Sequence, residues 1–206
     1  SSDARPLRVV RAPTRALRKI ALGLAATPFM FFQFAGTEFF EYRVQSIADG
    51  KGTSLTYRLS LKPGPNATTE IKVEALGSQT PIVRENSAGT KRQIVELIFA
   101  MSQGTELSQV ASAVQRGAGF IAMQTASGVP FGKDLRAEWQ EGPTPFKLRG
   151  ISDCSFVGQT GIKFEVRRND KAYFEICATT EVPMPLYVRQ IEDNTVVEVK
   201  LERFRR

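Results

Sequence analysis

Histidine is missing altogether from the 206 residues. Its absence removes the side chain that most often serves as a general base near neutral pH, the commonest metal ligand, and every Ser-His or Cys-His nucleophile pair. Cysteine is nearly as scarce: Cys154 and Cys177 are too few for a disulfide framework and have no metal-ligand spacing. No Gly-rich phosphate loop, CxxC pair or nucleophile elbow occurs. A chain that is not an enzyme and carries no cofactor or metal is the expectation on these grounds.

Charge of either sign is absent from residues 20–37, between Lys19 and Glu38. At a rise of about 1.5 Å per residue, such a stretch is just long enough for a bilayer core of about 30 Å. Ile20, Leu22, Leu24, Phe29, Phe31, Phe32 and Phe34 would form the anchor. A basic arm of Arg5, Arg8, Arg11, Arg15, Arg18 and Lys19 precedes it, which holds the N-terminus on the stromal or matrix side. Pro28 and Gln33 keep two other readings open, a targeting remnant and a buried helix. The net charge of +7 belongs mostly to the arm, because residues 20–206 hold 22 cations against 20 acids. Basic and acidic residues alternate along the predicted strands, so no stripe for nucleic acid exists.

Past the anchor, period-two patterns predict strands over residues 38–47 and 53–61, joined by a turn at 48–52. A turn over 62–67 leads to a strand over 69–76, and residues 81–86 form a short edge strand. The middle is helical. Ile94, Leu97, Ile98 and Met101 make one stripe over 91–102, and Thr105 caps a second helix that carries Leu107, Val110, Ala111 and Val114 and ends at Gly117. Gly117, Gly119 and Ala122 imitate a dinucleotide fingerprint but follow a helix, so the context excludes it. Residues 128–145 read as a loop anchored by Trp139, and a catalytic cluster, if there were one, would gather at Asp134, Arg136 and Glu138.

From residue 146 the chain reads as hairpins. A three-residue loop at 168–170 pairs Val166 with Ala172, Phe164 with Phe174 and Ile162 with Ile176, with Lys163 meeting Glu175 outside. A two-residue turn at Asp193-Asn194 pairs Val188 with Val199, Leu186 with Leu201 and Arg189 with Glu198. With a turn at 158–161, Cys154 lies opposite Glu165 and two strand spacings from Cys177, about 9–10 Å, which predicts free thiols.

Glu38-Phe39-Phe40-Glu41, Ala48-Asp49-Gly50-Lys51, Ser54-Leu55-Thr56-Tyr57-Arg58 and Glu70-Ile71-Lys72-Val73-Glu74-Ala75-Leu76 before Pro81 resemble the opening of the S-type phycobiliprotein lyases. The resemblance implies a lipocalin-like barrel and a plastid setting, without implying lyase activity. The expected fold is α+β: a single N-terminal transmembrane helix, then a mainly antiparallel β domain, barrel or sandwich, with two helices inserted. Its domains are the arm at 1–19, the transmembrane helix at 20–37 and a β-rich domain at 38–206. The expected function is a non-catalytic, membrane-anchored accessory subunit of a large organellar membrane complex, a photosystem or antenna assembly, with the thylakoid favoured over the mitochondrial inner membrane. Its partners would be other subunits and membrane lipid, with no nucleic acid. The alternative is a lipocalin-like module binding a pigment or lipid, decided by whether Leu55, Tyr57, Phe164, Phe174 and Val188 fill the barrel or leave a cavity.

Overall fold

Along β2 (Lys51–Pro63), Leu55, Tyr57, Leu59 and Leu61 are buried on one side while Arg58, Ser60 and their neighbours lie on the other. The same alternation recurs on nearly every strand, so one face of the sheet is apolar and the other charged. The computed structural model describes residues 31–77, 81–104 and 106–206. In it β1 (Phe39–Ala48), β2, β3 (Thr69–Leu76) and β4 (Ile82–Ala88) precede two helices, α1 (Lys91–Met101) and α2 (Leu107–Ala126). Then come β5 (Arg136–Glu141), β6 (Thr144–Phe156), β7 (Gln159–Arg168), β8 (Lys171–Ala178), β9 (Tyr187–Glu192) and β10 (Thr195–Arg205). The ten strands form one antiparallel sheet in the order β4-β3-β2-β1-β10-β9-β8-β7-β6-β5. The N-terminal and C-terminal strands meet at its centre, and β4 and β5 are its open edges.

Two helices in a mainly antiparallel domain agree with expectation; the barrel or sandwich is corrected to a single open sheet. Both helices lie on the apolar face, α1 against β3 and β4, α2 against β8, β9 and β10. Thr90 caps α1 by accepting from the Gln93 N–H. Arg84, which points inward from edge strand β4, donates to the carbonyls of Met101 and Gln103 at 2.7 and 2.6 Å and so neutralises the negative end of that helix. The second helix does not stop at Gly117. There a Cβ would stand 3.2–3.4 Å from Val188, Ile176 and Phe174, so glycine sets how closely α2 lies on the sheet instead of ending the helix. Thr105, the expected cap, lies outside the described residues.

The expected transmembrane helix is also corrected. Among the described residues no helix is long and apolar enough to cross a membrane. Residues 31–37 form turns: the buried Glu38 carboxylate accepts from the N–H groups of Ala35, Gly36 and Thr37 at 2.7–3.0 Å. Phe31 and Phe34 are buried in the domain's own core, and the half-buried Phe32 meets Phe99 edge-on at 5.4 Å. Their apolarity is therefore satisfied by the sheet and helices, which removes the reason to seek lipid. Ile20, Leu22, Leu24, Phe29 and the basic arm lie outside the described residues.

Two hairpin registers differ from expectation, for separate reasons. At β7–β8 the turn has two residues, Asn169 and Asp170, both left-handed, and an irregularity beside Val166 restores the facing that a two-residue turn alone would spoil. Val166 then pairs with Phe174 and Phe164 with Ile176, and Lys163 reaches Glu175 at 3.2 Å as expected. At β6–β7 the turn is Val157-Gly158, which sets Cys154 opposite Gly161. Cys154 and Cys177 are joined in a disulfide with their Cα atoms 6.2 Å apart, not free. That is well short of two flat strand spacings, so the sheet is creased at β7. Gly161 permits the crease, because a Cβ there would meet the Ala178 carbonyl oxygen at 2.5 Å and Cys177 Sγ at 3.3 Å. Closing a loop with a sequence separation of 23 contributes about 3 kcal/mol in the chain-entropy account. The β9–β10 hairpin has the expected register throughout.

Two stability changes follow. Val157 is exposed and held at φ 46°, a region disfavoured for a β-branched residue. Val157→Asn gives the left-handed turn its preferred residue, and chemical denaturation should show a gain of about 1 kcal/mol. Gly161→Ala forces a Cβ into the β8 backbone and should cost about 2–4 kcal/mol under the same measurement; an unchanged midpoint would show that the crease does not need glycine.

Candidate functional site

The helices leave a seam over β1 and β2 that neither covers alone, and the first concavity lies there. Tyr42 from β1, Tyr57 from β2, Ile98, Phe99 and Ser102 from α1, Val110, Ala111 and Val114 from α2, and Met184 surround it. Its volume is about 10 Å³, room for about one water. Leu55, Tyr57, Phe164, Phe174 and Val188 are all buried, so side chains and helices fill the interior in this form.

Three hydroxyls polarise that void. Tyr42 donates to the Pro185 carbonyl at 2.7 Å. Ser102 donates to the Ile98 carbonyl, so Tyr57, 3.2 Å from Ser102 Oγ, is the donor in that pair. Burial raises the Tyr57 phenol to about 12, against the favourable pull of Ser102 on the ionised form. Tyr42 is pushed well above the ordinary tyrosine value by burial and then by Tyr57.

The second concavity is larger and of mixed polarity, with Ala111 and Val197 among polar side chains. A groove of about 750 Å³ runs between α2 and the β9–β10 hairpin. Gln109, Ser112, Gln115 and Arg116 line it from the helix, and Gln190, Glu192, Asp193 and Thr195 from the hairpin. Gln190 is buried although it carries a carboxamide; its Nε2 meets Glu192 Oε2 at 3.4 Å. Behind this wall Tyr173 is buried between two guanidiniums, Arg168 at 4.2 Å and Arg116 at 5.4 Å from its ring centre. Burial raises its phenol, and Arg116 opposes this. Its hydroxyl has no hydrogen-bond partner among the described residues, and Arg168 is drawn to Glu192 at 3.5 Å.

The expected site residues do not converge. Phe31, Phe32 and Phe34 are core residues, and the remaining anchor and arm residues lie outside the described part. Asp134, Arg136 and Glu138 are exposed around β5. Trp139 is on a strand, not a loop, and stacks on Phe146 at 5.5 Å with the planes 8° apart, which makes it a packing residue. Among the described residues no group of three or more acids or cysteines is placed to hold a metal. Sequence reasoning passed over Gln190 and Tyr42. The readable signal was a polar Gln190 at an inward position of β9, in phase with the buried Val188.

No family model and no curated protein matches this chain. Among solved structures it is similar to MucB, with 13% identity and a TM-score of 0.44, covering 93% of this chain and 59% of that one. It is similar also to the Pseudomonas aeruginosa MucA/MucB complex, with 10% identity and a TM-score of 0.40, over 91% of this chain and 56% of that one. A LolA superfamily protein from Nitrosomonas europaea shares 8% identity at a TM-score of 0.29, over 90% and 92%. The chain thus spans less than two thirds of MucB.

The tyrosine pair makes stability fall in alkali. A phenol whose folded pKa is raised stabilises the fold fully below the ordinary value of 10.0, and this is lost as pH climbs to about 12. Between about pH 9 and 11, Tyr57→Phe should lose about 1 kcal/mol less than the parent in urea titrations.

Proposed function

We propose that the protein is a non-catalytic binding module that takes an apolar chain, such as an acyl group, between its helices and its curled sheet. One observation carries this reading: the seam between α1 and α2 lies over β1 and β2, directly above the void lined by Tyr42, Tyr57, Val110 and Met184. In the closed form the void holds about one water, so binding requires the helices to part. Apolar chains suit such a place because the walls are aliphatic, aromatic and thioether groups that repack at low cost. Tyr57 and Ser102 supply the few polar contacts that fix orientation. Arg84 straps α1 to the edge strand.

The disulfide supports an oxidising compartment, since such bonds persist where thiols are not kept reduced. A protein partner is part of the proposal as well, because an open module of this kind receives its cargo from another molecule or delivers it to one.

Dansylundecanoic acid provides the test. The protein should enhance its fluorescence saturably at one equivalent, and Ala111→Phe, which fills the seam, should weaken binding about tenfold. Arg84→Ala should speed association by loosening α1. Absence of saturable binding, or indifference to Ala111→Phe, is the outcome that sinks the reading.

A further inference from the structure

An apolar ligand under the helices leaves the groove along α2 unused. Its walls are the wrong chemistry for an acyl chain, because the exposed carboxamides of Gln109 and Gln115 would lose their hydrogen bonds to water without replacement. They are wrong for a polyanion too: Arg116 is the one cation on the lining, against Glu192 and Asp193. No aromatic side chain lines the groove, so a sugar ring would find no face to stack on.

What remains is the peptide main chain. Each peptide unit presents one donor and one acceptor, and a carboxamide is the side chain that answers both at once. Gln109, Ser112, Gln115 and Arg116 recur at helical spacing on one stripe of α2. The stripe covers about 10 Å of helix, the length of about three extended residues. Opposite it, Gln190 is nine-tenths buried, yet among the described residues its amide nitrogen is held only by the long 3.4 Å contact to Glu192. That is a polar group fixed in position and poorly engaged within the fold, as a recognition group must be before its ligand arrives. We infer that this groove binds an extended peptide segment of a partner protein, recognised through its main chain by the carboxamides of α2 and β9.

The groove shares Ala111 with the apolar void, so its test alters Gln109 and Gln115, which line the groove and not the void, and the two readings fail distinguishably. The test titrates the uncharged peptide acetyl-Thr-Ala-Thr-Ala-Thr-Ala-amide into the isotope-labelled full chain and follows side-chain amide signals by NMR. Signals of Gln103, Gln109, Gln115 and Gln190 should move together and saturate. A Gln109→Ala, Gln115→Ala double variant, altered only at exposed positions, should bind the peptide about tenfold more weakly while binding dansylundecanoic acid as the parent does. An analogue with esters in place of alternate amides should lose about as much. The inference is overturned if the peptide moves none of these signals, if the double variant binds it unchanged, or if maltohexaose or decanoate moves the same signals at lower concentration.

Discussion

A ten-stranded sheet with one apolar face has to bury that face, and only two helices are at hand to do it. Strands lie about 4.8 Å apart, so the sheet is about 43 Å wide, whereas two helices cover about 20 Å. The rest of the architecture follows from the shortfall. Gly117 lets α2 sink onto Val188 and Ile176, which brings the sheet closer around it. Segments without regular structure complete the cover: Phe31 and Phe34 before β1, Leu135 before β5, and Val182, Met184 and Leu186 between β8 and β9 are all buried. An apolar N-terminal run that could have been solvated by lipid is, in its described part, consumed by this demand.

The opposite face obeys a different rule. It is charged and laced with pairs such as Arg43–Glu202 at 2.8 Å and Lys62–Glu70 at 3.1 Å. Exposed pairs of this kind contribute little each; their main effect is to keep that face in water and so fix which side the helices occupy. The disulfide from β6 to β8 locks the crease at Gly161, where the sheet departs most from a flat ladder. Phe156, beyond the crease, stacks on Tyr187 at 5.1 Å, so the tip of the β6–β7 hairpin is packed back on the sheet.

Incomplete cover also explains where binding chemistry collects. At the seam of the helices the gap is apolar, and the two tyrosines meet it. Where α2 passes the end of the β9–β10 hairpin the gap is polar, and carboxamides line it. These are one architecture's two leftovers, with opposite chemistry, and each accounts for a different ligand class.

Several features that depend on neighbours in the chain were legible from residue order alone. Alternation placed β2 and β3, the 3-and-4 spacing of Ile94, Leu97, Ile98 and Met101 placed α1, and Asp193-Asn194 fixed the β9–β10 register, because turn chemistry and side-chain period are local. What depends on residues far apart in the chain was settled by packing. Whether Phe31 and Phe34 meet lipid or protein, whether Gly117 ends a helix or admits it to the sheet, and whether Cys154 reaches Cys177 are questions of packing across the fold. The same holds for the site: Gln190 was visible as a polar residue on an apolar face, but its groove exists only because α2 lies beside it. Hydrophobicity says that a side chain must leave water and leaves its destination open, and that choice is made by the competing surfaces of the whole domain.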